Sequence, residues 1–176
     1  MGQFFDASVL LAHSKSDDAI TPLQGLLKDA PQFAGAHYFL GVAYLQKQQL
    51  PQARAAIADA VKFNPQLSDA RTALAQIHLA EGSMDLALEQ AQAAVQINQR
   101  NVQAAVISGT AYLFTISLLK EATDKLPNEP LVHYHLGMVR AKTGDPTVAK
   151  HSLQRAFKLN QQFPGADEAK KTMARL

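Results

Sequence analysis

A chain of 176 residues with a net charge of +2, no Cys and no Trp lacks several chemistries before any motif is read. The missing Cys removes disulfides, thiolate zinc sites and cysteine nucleophiles, and the small charge gives no ground for nucleic acid or an anionic membrane as partner. Apolar residues make up 47%, much of that Ala, against only 7% aromatics, which suits closely packed helices better than a sandwich or barrel. The start, MGQFFDASVLLAHSK, has neither a basic n-region nor a continuous h-region and is not read as a signal peptide. Met1-Gly2 is consistent with a piece cut from a longer protein. No apolar run is read as approaching 18 residues, so no membrane span is expected, and the compartment stays open between cytoplasm and periplasm.

Taken in order, the chain divides into units that end near Pro or Asn. Residues 1–33 carry Ala19, Leu23 and Leu26 at spacings of four and three, then Pro31. Pro22 is awkward inside that helix, and a delayed start with Thr21 as cap predicts a short helix over 22–30. In residues 34–67, Leu40, Gly41 and Tyr44 share one helical face, Ala53, Ile57 and Ala60 share another, and Pro65 stops the second helix. Gly41 has no side chain, so the second helix can approach its backbone. Residues 68–101 repeat this in register with Leu74-Ala75, His78, Ala87, Ala91 and Ala94, and Gly82 supplies the turn.

Residues 102–129 break the rhythm. Ser108-Gly109 and Tyr112 mark the first helix, and Leu119, Ala122 and Pro127 mark the second, but the unit is 28 residues long, six short of its neighbours. The missing six are the turn. Residues 130–163 resume the pattern with Leu136-Gly137, a Gly144-Asp145-Pro146 turn, and Ala149, Leu153 and Ala156. Residues 164–176 open with Pro164 near the first helical position and Asp167-Glu168 in the first turn. Ala166, Ala169, Met173 and Leu176 then form one apolar stripe, as a terminal capping helix needs.

The order small-large-aromatic, then Ala, then Pro over 34 residues in 34–67 resembles the tetratricopeptide repeat (TPR). The resemblance implies an all-α fold, a right-handed solenoid of antiparallel helix pairs closed by the capping helix. It also implies one solenoid domain over 1–176, with units 1–33, 34–67, 68–101, a shortened 102–129 and 130–163. From Leu136 onward, including FPGADEAK, the chain also looks like the C-terminal part of periplasmic TPR proteins of exopolysaccharide and protein-sorting systems.

By the same resemblance, the second, fifth, ninth and twelfth residues of each first helix line a concave surface. That places Tyr38, Val42 and Leu45 there, then Asp69, Thr72, Gln76 and Leu79, then Gln103, Val106, Thr110 and Leu113, and last Leu131, Tyr134, Met138 and Ala141. The Lys and Asn of the carboxylate clamp found in co-chaperone TPRs are missing from the fifth and ninth positions. The expected ligand is an amphipathic helix or extended apolar segment of a protein or peptide. The six histidines offer no chelating pair: His133 and His135 point to opposite sides of a helix, and His37, His78 and His133 fall at packing positions. No phosphate loop or nucleophile elbow is present, so no cofactor, metal or catalysis is expected.

Between Val102 and Lys125 there is no Pro and a single Gly, so the two helices of the short unit are expected to fuse. The competing readings are a tight loop made by unwinding the last turn of the first helix, or a loss of six residues from the sequence. Ala105, Ser108, Tyr112, Thr115, Leu119 and Ala122, spaced 3-4-3-4-3, make one stripe along a rod of about 36 Å. Two function classes follow. The leading one is a non-catalytic scaffold that holds a peptide in the groove. The other is a self-associating module, a swapped homodimer hinged at Leu113, Phe114, Thr115 and Ile116.

Overall fold

The computed structural model describes residues 2–176, with side chains from Phe4 onward; Met1 lies outside the described residues. Among the described residues there are ten helices and no strand: α1 (Gly2–Ala12), α2 (Ser16–Asp29), α3 (Ala34–Gln46), α4 (Leu50–Phe63), α5 (Ser68–Ala80), α6 (Met84–Ile97), α7 (Val102–Lys125), α8 (Pro130–Lys142), α9 (Pro146–Leu159) and α10 (Ala166–Met173). Two compact units are formed, one ending at Ser108 and the other running Gly109–Leu176, so the division falls inside α7.

In the first unit α1 packs on α2, α3 on α4 and α5 on α6, while α2 meets α3 and α4 meets α5. The elements recur every 34 residues because the turn chemistry does. Each turn within a pair has one residue in the left-handed region: Ser14 (φ 58°), Gln48 (φ 59°) and Gly82 (φ 77°). At the far end of α4 and α6, Asn64 and Asn98 turn their side-chain oxygens to the backbone N–H of Gln66 and Arg100, at 3.0 and 3.1 Å. A second latch recurs where helix pairs join. His37 donates to the Pro31 carbonyl and Arg71 to the Pro65 carbonyl, each at 2.8 Å.

Small residues let these helices approach closely. Ala53, Ala60, Ala87 and Ala94 are fully buried, and so are the residues between them, Ile57 and Ala91. Ile57 lies where a side chain on Gly41 would have to be. The core then continues from Ile57, Leu74 and Ile77 to a cluster of Ala75, Ala91 and Ile107, the last contributed by the start of α7.

The first pair departs from expectation at one point. Helix α2 runs Ser16–Asp29 with Pro22 inside it, instead of starting at Pro22. Burial of Ala19 and Leu23 against the α3 core holds the turn that precedes the proline. The lost hydrogen bond falls on the carbonyl of exposed Asp18, where water can replace the missing N–H.

The second unit contains the rest of α7 and the pair α8–α9 with α10 packed on both. Leu153 on α9 sits 2.7 Å from where a Gly137 Cβ would be, repeating the Gly41–Ile57 arrangement. The turn has Gly144 at φ 76°, and His133 donates to the Pro127 carbonyl at 2.9 Å. Helix α10 begins after Gly165, so Pro164 stands two residues before the first helical residue rather than in the first turn. Ala169 is fully buried, while Ala166 and Met173 are partly buried, against a core of Tyr134, Leu153, Ala156 and Phe163.

Helix α7 is unbroken over 24 residues. The position 34 residues after Gly82 is Ile116, and a β-branched side chain cannot enter the left-handed region that the turn requires. Fusing two amphipathic stripes onto one rod also makes a longer apolar stretch than the sequence reading allowed. By length and composition α7 could cross a bilayer, with a mean hydropathy of 1.6 in its most apolar window. The sequence reading passed over this because Gln103, Ser108, Thr110, Thr115 and Ser117 interrupt the apolar run of Val102–Leu119, although none of them is charged. Ala104, Ile107, Ala111 and Ile116 are nonetheless buried within the protein.

Candidate functional site

In the first unit α3, α5 and the start of α7 enclose a cleft of about 190 Å³. Helix α3 contributes Tyr38, Val42 and Leu45; α5 contributes Asp69, Thr72, Ala73 and Gln76; Asn101 and Gln103 close the end. The three α3 residues sit at i, i+4 and i+7 and therefore share a face. The apolar wall is thus α3, and the polar groups come from the other side.

Asn101 organises that polar side. Its amide donates to Ser68 Oγ at 2.9 Å and Thr72 Oγ1 at 2.8 Å, while its carbonyl oxygen accepts from the Ala104 backbone N–H at 3.0 Å. One side chain therefore caps α7 and ties it to α5. Both hydroxyl protons are already committed, Ser68 to the Ala94 carbonyl and Thr72 to the Ser68 carbonyl. Gln103 donates to Gln76 Oε1 at 3.2 Å across the cleft mouth. Tyr38 is half-buried; burial raises its phenol pKa above the ordinary value, and the charge of Asp69 adds to this.

The structure sorts the sequence-predicted positions into three groups. Tyr38, Val42, Leu45, Thr72 and Gln76 come together in the cleft. Thr72 is only 4% exposed, so it supports the floor instead of presenting a free hydroxyl. Val106, Thr110 and Leu113 lie on exposed turns of α7, outside the residues that line the cleft. So do the hinge residues Phe114, 47% exposed, and Thr115, half-buried, whereas Ile116 is buried.

Tyr134 and Met138 form the third group and require a correction. Tyr134 is 7% exposed and Met138 packs against the same core, because α10 covers the surface on which the repeat register had placed them. Tyr134 Oη donates to Glu168 on α10 at 3.0 Å. Tyr134 is thus closed to a ligand in the second unit, while Met138 is half-buried. Asn101 was missed by sequence reasoning, although an Asn directly before an apolar helix is a recognisable cap.

Comparison with known proteins agrees with the fold. A family model described as Tetratricopeptide repeat matches residues 7–68 and 49–102, and a second with the same description matches 131–163. The matched stretches leave out 103–130, nearly the whole of the fused helix. The type IV pilus assembly protein PilF of Pseudomonas aeruginosa is 28% identical over 138 residues, covering 73% of this chain and 54% of that protein. The chain thus spans about half the length of that curated relative. Among solved structures, YrrB, described as a TPR protein with an unusual peptide-binding site, has a TM-score of 0.60 at 20% identity, covering 97% of this chain and 91% of YrrB. TTC0263, a thermophilic TPR protein of Thermus thermophilus, has a TM-score of 0.57 at 19% identity over 99% and 98% of the two chains. MamA from Desulfovibrio magneticus RS-1 has a TM-score of 0.58 at 19% identity over 90% and 93%. With the Gly–large packing pair, the left-handed turn and the terminal capping helix all in place, the chain belongs to the tetratricopeptide repeat family.

Proposed function

We propose that this chain is a non-catalytic interaction module that grips a peptide or partner helix in the cleft between α3 and α5. TPR proteins as a class mediate protein–protein contacts, and the cleft supports that use here. The observation that carries the reading is its size and polarity. A volume of about 190 Å³ is below the range of about 300–1,000 Å³ typical of small-molecule sites and fits one or two anchoring side chains. Tyr38, Val42 and Leu45 offer an apolar wall, while Asp69, Gln76 and Gln103 offer donors and acceptors at the rim. An amphipathic segment presenting an apolar anchor and a polar edge suits both. The printed description of YrrB as peptide-binding points the same way.

The test is selection of binders from a displayed library of amphipathic peptides, followed by fluorescence anisotropy with the intact chain. Tyr38→Ala should weaken binding by roughly 5- to 100-fold, the usual consequence of losing an aromatic anchor worth about 1–3 kcal/mol. Gln76→Ala should have a smaller effect at unchanged helix content. Equal affinity for the parent and Tyr38→Ala would move the ligand off this cleft.

A second reading, a self-associating module, is favoured by a separate observation on α7. Gly109, at the position of Gly41 and Gly137, has no neighbour within 4 Å of where its Cβ would be.

A further inference from the structure

Two helix pairs are closed by a glycine opposite a large residue, while at the same positions the first pair has Ala7 and Leu23, both fully buried. Gly41 receives Ile57 and Gly137 receives Leu153, both sixteen positions further on. Where the first position is Ala75, the second shrinks to Ala91, and both are fully buried. The short unit keeps the glycine and the large residue. Gly109 is at the first position and Leu119, six residues early because the turn is missing, is at the second. The two cannot meet within one chain, since unbroken helix holds them about 15 Å apart.

The burial pattern records the consequence. Ala53, Ile57 and Ala60 are fully buried, as are Ala87, Ala91 and Ala94, and Ala149, Leu153 and Ala156. Their counterparts Thr115, Leu119 and Ala122 are only half-buried. Leu113, the counterpart of Leu45, is 70% exposed, and Phe114 and Leu118 are also exposed.

We propose that two copies pair through α7 in antiparallel fashion, with Leu119 of each seated on Gly109 of the other. This inference rests on the self-association reading and gives it a register. The midpoint between positions 109 and 119 is Phe114, so a two-fold axis at the level of Phe114 makes both contacts at once, as an isologous interface requires, with Phe114 itself on the far side of the helix. A second copy is favoured over a lipid surface because the matching knob for Gly109 is already present on the same helix. Covering Gly109, Tyr112, Leu113, Leu119 and their neighbours on both copies removes on the order of 1,000 Å² from water, the lower end of specific interfaces.

The absence of Cys makes the register directly testable in the full chain. Light scattering at tens of micromolar should give twice the 19.1 kDa chain mass. Leu113→Cys, at the edge of the seam one residue from the axis, should be captured as a covalent dimer by a short bis-maleimide. Leu119→Cys alone should not, because its symmetry mate is about 15 Å away along the helix axis. Gly109→Ala should raise the dimer dissociation constant at least tenfold without loss of helicity, since Ala is the better helix former. A dimer linked through Leu119→Cys but not Leu113→Cys would overturn the register and leave self-association standing. A monomeric mass would overturn both, and a monomer that floats with phosphatidylcholine vesicles would assign the apolar face of α7 to lipid instead.

Discussion

Gly165 lies directly beneath the ring of Tyr134. A Cβ on Gly165 would fall 2.7 Å from Tyr134 Cε1 and 2.5 Å from its hydroxyl, and Gly165 itself sits at φ +93°. The residue that starts α10 is therefore also the one that lets the capping helix close over α8. Phe163 completes the seal, with its ring centroid 5.4 Å from Tyr134 and 5.1 Å from Phe157.

Gly165→Ala meets two obstacles together, a backbone conformation that L residues rarely adopt and a ring that cannot retreat into the core. The first costs about 1–3 kcal/mol and the second about 1–3 kcal/mol more, so an overall loss of about 2–6 kcal/mol is expected. Hydrogen exchange should locate the loss in α10 ahead of α8 and α9. Protection in α10 equal to that of the parent chain would refute the latch.

The same contact predicts alkaline sensitivity. Burial first, then the hydrogen bond to Glu168 and its charge, raise the Tyr134 pKa above 10.0. The folded state thus holds the phenolic proton more tightly than the unfolded chain does. Its contribution is complete below about pH 10 and is lost as pH rises through the folded pKa. Tyr134→Phe removes that titration at the cost of the hydrogen bond to a carboxylate, about 1.5–3 kcal/mol at neutral pH. Urea melts at pH 9 and pH 11 should show the stability gap between parent and variant narrowing at the higher pH. Tyr38 titrates in both proteins and cancels in that difference.

Most of the solenoid was legible because its positions are fixed by backbone geometry that few residues satisfy. Gly41, Gly82, Gly137 and Gly144 mark close approach or a left-handed turn, and Pro31, Pro65 and Pro127 each follow a helix end by two residues. The fused α7 was legible as a missing turn. The cleft was legible on α3, where repeat register alone selects Tyr38, Val42 and Leu45. Tyr134 was misplaced for a long-range reason: the register says which way a side chain points, not whether α10 folds back over it. Pro22 was misread because local propensity was allowed to outweigh the burial of Ala19 and Leu23. Asn101 bridges three residues brought together by folding, and only its capping role has a local signature.

The size match between paired helices can be tested inside one chain, at Gly41 and Ile57. Gly41→Ala gains helix propensity, about 0.5–1 kcal/mol, but drives a methyl group into a fully buried Ile57 side chain. Overpacking of this kind costs about 1–3 kcal/mol, so the single variant should be destabilised. Ile57→Ala should also lose stability, about 2–5 kcal/mol, through the cavity it opens. Together the two substitutions recreate the Ala–Ala pair that the chain already uses at Ala75 and Ala91, both fully buried. The added methyl then fills part of the cavity instead of clashing, and helix propensity favours the double variant. Urea denaturation should find it more stable than Ile57→Ala alone, with a coupling of about 1–3 kcal/mol against the sum of the singles. Simple additivity would mean that Gly41 is not held small by Ile57, and the pairing rule extended to Gly109 and Leu119 would lose its basis.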